Sequence, residues 1–450
     1  MSALFKFILV YLSILLLNCT AQASGLQLFE LTGSLAGTAG AGDAASADDA
    51  SSSFINPAGL IRLQQPQLVV NAVGLKLDTT FIGQSKWFIT KIPDLNSGEQ
   101  SIHANGGTFN LIPSLYYAHP INSNLVFGFN VAGPFGLAVD YSTQGFQRYS
   151  VSYARLVTVD IAPSLGFKLT DKLALGMGID AQRLAGEMQV TAGIPLENLT
   201  KSPSHFDSLI SNTFSDTAYG WHAGLLYQFT PKTRLGLSYH SGFKHHATGT
   251  STITGPLANM DETQSSRTST QLKLGLKLPA YTTLSLYHEL NPKLALLASA
   301  TYTQWSCLQN VSIENIAAVD NSLIPQPSNH VAITIPEHFK DTWRFALGSD
   351  FKVNSQLSLR AGMGYDQSPI DPAYRNLLIP DSNRYILATG MTYSFNPKLS
   401  MALGWSHYFM QKAATDRTQT MGPGSMHVQG VSRNAGNVFG LQLNWNLNSL

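Results

Sequence analysis

Six short turn signals recur along the chain, roughly 40 to 60 residues apart, each between two runs of alternating apolar and polar residues. They are Pro120, Ile121, Asn122; Thr170, Asp171, Lys172; Thr230, Pro231, Lys232; Asn291, Pro292, Lys293; Val353, Asn354, Ser355; and Asn396, Pro397, Lys398. Tight turns on one side and long polar loops on the other are the layout of an all-β transmembrane antiparallel barrel of the outer membrane. Six turns join twelve strands. One further strand precedes the first hairpin (residues 66–82, then 108–118) and one follows the last (435–447), giving about fourteen strands with both termini periplasmic. The longest outer loops are expected near 193–215, 255–269, 314–336 and 412–433. A barrel this wide is not filled by its own wall side chains, so something plugs it or it conducts water.

The first residues fit that compartment. Lys6, an apolar run over 7–17 and the small-x-small site Ala21, Gln22, Ala23 read as a signal peptide, 1–23, with Ser24 as the mature start. Asn18 is a poor residue to precede a lipidated Cys19. If Cys19 leaves with the leader, Cys307 is the only thiol and no internal disulfide forms. No later stretch holds 18 uninterrupted apolar residues, which excludes helical spans. Charged residues are only 12% of the chain, against a usual share of about 25%, while 44% are apolar, as a large lipid-facing surface requires. A net charge of +1 gives no basic face for nucleic acid. The uniform hairpin rhythm argues for one barrel, 66–450, behind a short segment, 24–65.

Alternation is clearest in three places. Leu272, Leu274, Leu276 and Leu278 alternate with Gln271, Lys273, Gly275 and Lys277; Leu357, Leu359, Ala361 and Met363 with Ser358, Arg360, Gly362 and Gly364; and Leu399, Met401, Leu403 and Trp405 repeat the pattern. In a membrane barrel the apolar faces meet lipid and the polar, Gly-rich faces line the lumen. Tyr227, Phe229, Tyr287, Phe351, Tyr393 and Phe395 stand just before the short turns, as an interfacial girdle requires.

Residues 24–65 break the hairpin pattern, being rich in Gly, Ala, Ser and Asp. Such composition suits a flexible tail or a compact plug whose small residues let backbone pass close to the wall. In the plug, Asp43, Asp48 and Asp49 would pair with lumenal Lys273, Lys277 or Arg360. The glycines at 37, 40 and 42 lack the spacing of a dinucleotide loop. With its Ala47, Asp48, Asp49, Ala50 and its Asn56, Pro57, Ala58, the stretch 25–60 resembles the N-terminal hatch of the outer-membrane long-chain fatty acid transporters, a family that includes aromatic hydrocarbon uptake relatives. The likeness continues through Gly133, Pro134, Phe135, Gly136, Leu137, through 339–348, through Asp366, Gln367, Ser368, Pro369, and through Ile379, Pro380, Asp381. The resemblance implies a fourteen-stranded barrel plugged by a hatch. It also implies uptake of a hydrophobic ligand from an outer groove, into an apolar pocket, and out through a lateral gap in the wall.

Pro134, flanked by Gly133, Phe135 and Gly136, interrupts the third strand, 124–141. Proline cannot donate to a ladder, and in-strand glycines mark bends. The resemblance makes this the kink that opens the wall, and places Asn56, Pro57 and Ala58 as the hatch tip near it. The family's two basic head-group positions fall on Val190 and near Ile335, neither of them basic. Arg183, His338, Lys340 and Arg344 are the nearby candidates, and the ligand is a fatty acid held differently or another hydrophobic molecule. No Gly-x-Ser-x-Gly or His-Glu-x-x-His motif occurs. His240, His245 and His246 read as strand-end residues rather than metal ligands. The chain is therefore expected to be no enzyme, to use no cofactor, and to act as a monomer in outer-membrane lipid after insertion by the barrel assembly machinery. A general porin is the rival reading.

Overall fold

The computed structural model describes residues 26–141, 143–193, 205–260, 265–322, 324–421 and 424–447. The leader, Cys19 and Ser24 lie outside them. The described chain forms a closed antiparallel barrel of fourteen strands. In chain order these are β1 (Gln67–Ile89), β2 (Gln100–Asn105, then Thr108–Asn122), β3 (Leu125–Ala132, then Gly136–Asp140), β4 (Tyr153–Lys168) and β5 (Leu173–Ala192). There follow β6 (Ser208–Thr230), β7 (Thr233–His240, then Phe243–Thr254), β8 (Ser266–Leu278, then Tyr281–Asn291), β9 (Leu294–Thr303) and β10 (Thr342–Lys352). The last four are β11 (Leu357–Asp366), β12 (Arg384–Asn396), β13 (Leu399–Met410, then Ala413–Met421) and β14 (Gly424–Asn446). β14 pairs with β1 from Gln67↔Asn446 to Ile89↔Gly424, which closes the cylinder. Leu447 extends the ladder by donating to Pro66 O at 2.7 Å.

The six signals lie at or beside the short turns between these strands, the first of them, Pro120 to Asn122, ending β2 just before the turn at 123–124. Their chemistry explains why the signal recurs. Asn291 Oδ1 accepts from the backbone N–H of Lys293 and Leu294 at 2.9 and 3.0 Å. Asn354 does the same for Gln356 and Leu357, and Asn396 for Lys398 and Leu399. Thr170 Oγ1 serves Lys172 and Leu173. A short polar side chain that bonds the backbone two residues on holds the reversal without a ladder partner.

Above the opposite rim the strands run on as paired hairpins. Two expected loops are therefore mostly sheet: within 314–336 the strands Asn310–Val319 and Pro327–Pro336 pair, and within 412–433 the outer segment of β13 pairs with β14. Here the alternation also turns over. Leu272, Leu274, Leu276 and Leu278 point inward and are buried, whereas Lys273 and Lys277 are exposed. The expected lipid-facing stripe is thus a core stripe, because this part of β8 is polar outside and encloses an apolar interior. Nearer the short turns the expected register holds: Leu359, Met363, Leu403 and Trp405 are exposed on the outer face. Phe229, Phe351 and Phe395 are exposed there too, but Tyr287 points inward beneath Arg234, 3.5 Å from its guanidinium carbon, and so leaves the girdle.

Candidate functional site: the plug, the broken strand and the outer cavity

Residues 26–62 fold inside the cylinder. Three short helices, α1 (Gly33–Ala36), α2 (Asp43–Ser46) and α3 (Ser52–Ile55), lead into a 3-10 helix, Pro57–Arg62. The wall receives them at glycines. A Cβ on Gly224 would stand 1.8 Å from Asn56 Oδ1, and one on Gly404 2.2 Å from Gly33 O, so the plug backbone fits only because those side chains are missing.

Polar groups then fix the plug in register. Asp43 accepts from Ser285 Oγ at 2.6 Å and Ser299 Oγ at 3.0 Å. Arg234 donates to the carbonyls of Ala45 and Ser46, with Asp48 3.6 Å away. Gln442 donates to Asp49 at 2.7 Å. Arg344 binds Glu30 Oε1 at 2.6 Å and Ala39 O at 2.8 Å, and Tyr408 donates to the other oxygen of Glu30. The acidic residues of the plug therefore meet hydroxyls, amides and arginines. Lys273 and Lys277 are outside, and Arg360 pairs with Asp350 of the wall instead.

Asn56 caps the 3-10 helix through Ala58 N and donates to Ala44 O at 2.6 Å and Leu225 O at 3.2 Å. With Pro57 and Ala58 it packs on Gly166, Gly176 and Gly224 of β4, β5 and β6, close to their short turns. The tripeptide is therefore not at the broken strand. What meets the break is the start of the plug: Gln27 bridges Phe135, Leu28 N donates to Pro134 O at 2.9 Å, and Gly136 N donates to Leu26 O at 2.7 Å. Thr158 of β4 ties both backbone groups of Phe135, accepting from its N–H at 3.0 Å and donating to its carbonyl at 2.8 Å. The carbonyl of Pro134 and the backbone groups of Phe135 and Gly136 are thus satisfied by the plug and by β4, as a break in a membrane-barrel wall requires. β2 pairs with β3 only from Leu115↔Val131 towards the turn, while the outer segment of β3 pairs with β4. Among the described residues no ladder joins that outer segment to β2, and residues 26–28 lie along the seam.

An apolar column rises from this seam. Leu26 and Phe135 belong to one buried cluster with the β8 leucines, Trp305, Phe339, Ile316 and Val319. Phe135 meets Trp305 edge-on at 6.4 Å, and Trp305 meets Phe339 at 5.7 Å. At the outer end a cavity of about 110 Å³ is lined by Val190, Ile210, Leu257, Ile316, Val319 and Ile333, with Tyr149, Asn212, Gln419 and Thr420 among its polar edges. No charged side chain lines it among the described residues.

The four head-group candidates do not converge on that cavity. Arg183 projects from the outer face of β5 to Ser215 and Thr217, because the even-numbered residues of that strand face inward. Arg344 is locked on the plug. Lys340 is exposed and pairs with Asp371 at 2.6 Å, a bond that holds the Asp371 carboxyl below its usual range. His338 lies against Tyr374 and faces Gln309. The three noted histidines are also apart in role: His245 lies between Asp216 and Gln182, His240 stacks on Tyr281, and His246 is exposed. Glu337, Asn376 and Arg417 gave no motif in the sequence and form a buried polar group beside the column.

A closed fourteen-stranded barrel, plugged from within by its own N-terminal segment and holding an apolar column, defines a transport protein of the bacterial outer membrane. The chain belongs to the outer membrane protein transport protein family (OMPP1/FadL/TodX), whose model matches residues 14–447. It is 28% identical to a long-chain fatty acid transport protein of Escherichia coli, over 96% of either chain. It is 29% identical to outer membrane protein P1 of Haemophilus influenzae, over 94% of this chain and 95% of the relative. Among solved structures it resembles a Pseudomonas aeruginosa FadL homologue, with a TM-score of 0.80 at 23% identity, covering 94% of this chain and 99% of the other. It also resembles the P. putida toluene transporter TodX, with a TM-score of 0.65 at 17% identity over 94% and 100%. These likenesses agree with the fold. Members of the family are outer-membrane transporters or channels, not enzymes.

Proposed function

We propose that the chain takes up hydrophobic molecules across the outer membrane, long-chain fatty acids or aromatic hydrocarbons, as a single barrel with both termini in the periplasm. The molecule enters the outer cavity, descends the apolar column to Phe135 and leaves sideways between β2 and the outer segment of β3 as residues 26–28 shift. The observation that carries this reading is the continuity of one apolar cluster from the cavity to the broken strand. Each buried methylene gains about 0.8 kcal/mol by avoiding water, so a dry path suits such cargo where a porin does not. In this reading residues 24–65 are the hatch. Arg344 of β10 holds it from the wall, and Asn56, Pro57 and Ala58 are the foot on which it rests. A second reading within the family, an uncharged hydrocarbon as cargo, is favoured by Val190 and the charge-free cavity. The test is uptake of radiolabelled palmitate and toluene by cells whose own transporters are deleted. Uptake of either above the empty-vector control supports the proposal; large ion conductance without uptake of either contradicts it.

A further inference from the structure

We propose that the outer face of β5 to β8, just above the lipid band, is a docking surface for the phosphate groups of a phosphorylated glycolipid in the outer leaflet. The surface lies towards the rim opposite the short turns, so its leaflet rests on the orientation proposed above; it does not depend on what is transported. Lys244 of β7 and Lys277 of β8 are register partners, and both are exposed. Like charges set directly opposite each other on one face of a sheet repel. Lys273 stands on the same face, opposite Thr248, and Thr248 pairs in turn with Ser215 of β6. Arg183 of β5 lies across that strand, donating to Ser215 Oγ at 2.6 Å and to Thr217 Oγ1 at 3.4 Å. Strands about 4.8 Å apart therefore gather four cations within about 15 Å.

The protein itself leaves these charges unanswered. Among the described residues, none of Arg183, Lys244, Lys273 and Lys277 forms an ion pair, although Glu314 is the register partner of Lys273. The other acids nearby are turned elsewhere: Asp216 accepts from His246 N at 3.1 Å and faces His245, and Glu187 accepts from Gln189. Between Lys273 and Lys277 stands Gly275, opposite His246, and a side chain there would meet open space. The cations thus surround an open notch that a phosphate fits. Towards the short turns the same outer face carries Ile179, Tyr219 and Trp221, which are 63%, 79% and 49% exposed, and Trp221 meets Tyr239 at 4.9 Å. Aromatic residues at this level mark the interface between acyl chains and headgroups. Long basic side chains above such a belt carry their charge to the headgroups while their stems stay on apolar surface. An anionic head over acyl chains uses both features, whereas a free anion would use only the first.

The test is titration of the full chain in detergent micelles with bisphosphorylated lipid A, dephosphorylated lipid A, phosphatidylglycerol or inorganic phosphate, with bound lipid counted by native mass spectrometry. Bisphosphorylated lipid A should bind about tenfold more tightly than the dephosphorylated form, as several basic groups at a charged headgroup supply. Raising salt from about 50 mM to about 500 mM should erase most of that margin, since exposed charges are screened. Lys244→Glu combined with Lys277→Glu should abolish it, and Gly275→Glu, which sets a carboxylate in the notch, should weaken it. Lys232→Glu on the opposite rim should leave it unchanged, and heat-modifiable gel mobility reports whether each variant is folded. Equal binding of the two lipid A forms, or a margin kept in the double variant, would overturn the inference. Phosphatidylglycerol or inorganic phosphate binding as tightly as lipid A would overturn the glycolipid as its ligand. The leaflet is tested separately by an impermeant maleimide on intact cells carrying Thr254→Cys at the tip of β7, in a Cys307→Ser background. Labelling is expected; its absence would overturn the orientation and with it the outer leaflet, whatever the lipid binding in micelles.

Discussion

At Arg344 a barrel side chain and a plug carboxylate are both removed from water, and each is tolerable only because of the other. Glu30 is 1% exposed and Arg344 3%, and their contact is 2.6 Å. Removing one partner of such a pair leaves an uncompensated buried charge, at a cost of about 3–5 kcal/mol. Arg344→Ala should therefore loosen the plug without unfolding the wall. Ion leak in planar bilayers should rise while heat-modifiable gel mobility is kept; a barrel as tight as wild type would count against the pair as a latch. At Glu337, outside the spanning strands, the sign of the pH effect follows from a folded value raised to about 7 by desolvation, against the ordinary 4.5. Its contribution to stability is present at low pH and is lost as pH rises through 7, by up to about 3 kcal/mol. The facing groups are Arg417, Asn376 and Gln309, with His338 adjacent in sequence and Arg375 turned to Asp381 O. Proteolysis of the outer segments should accordingly be faster at pH 8 than at pH 5.5, and Glu337→Gln should flatten the difference. These contacts were not legible in the sequence. Arg344, Glu30 and Tyr408 are far apart along the chain, and composition names acids and bases without pairing them.

At the scale of elements, the turns were legible because their chemistry is local: an Asn or Thr bonding the next backbone groups needs no distant partner. The broken third strand was legible for the same reason, since Pro134 lacks a ladder donor and the glycines beside it favour a bend. Orientation was not. Alternation yields two faces and leaves open which one is inside, and β8 changes the meaning of its leucines once it leaves the lipid band. Tyr287 was misjudged by the same ambiguity. The tripeptide Asn56, Pro57, Ala58 was expected near the kink, but it caps and opens a 3-10 helix, and its seat on Gly166, Gly176 and Gly224 depends on three strands far along the chain. The break itself gives a direct expectation. Replacing Pro134 with Val and Gly136 with Thr supplies a ladder donor and β-forming side chains, so the outer segment of β3 should pair with β2. Uptake should fall to the empty-vector level while outer-membrane abundance, measured by immunoblot, stays normal. Undiminished uptake would show that the break is only a bend.

At the scale of the whole molecule, the barrel is a rigid container whose interior is divided by depth. Near the short turns it holds a polar, glycine-seated plug; above, it holds an apolar column; between them, at the seam of β2 and β3, the first described residues of the plug complete the wall. The central claim is that cargo leaves through that seam. A cysteine pair at Ile112 and Gly133 tests it most directly, in a Cys307→Ser background, because a Cβ on Gly133 would stand 3.2 Å from Ile112 Cγ2, within disulfide reach. Uptake of labelled palmitate or toluene should stop when the pair is oxidised and return when dithiothreitol reduces it. Equal uptake from fully cross-linked and reduced protein would contradict the account.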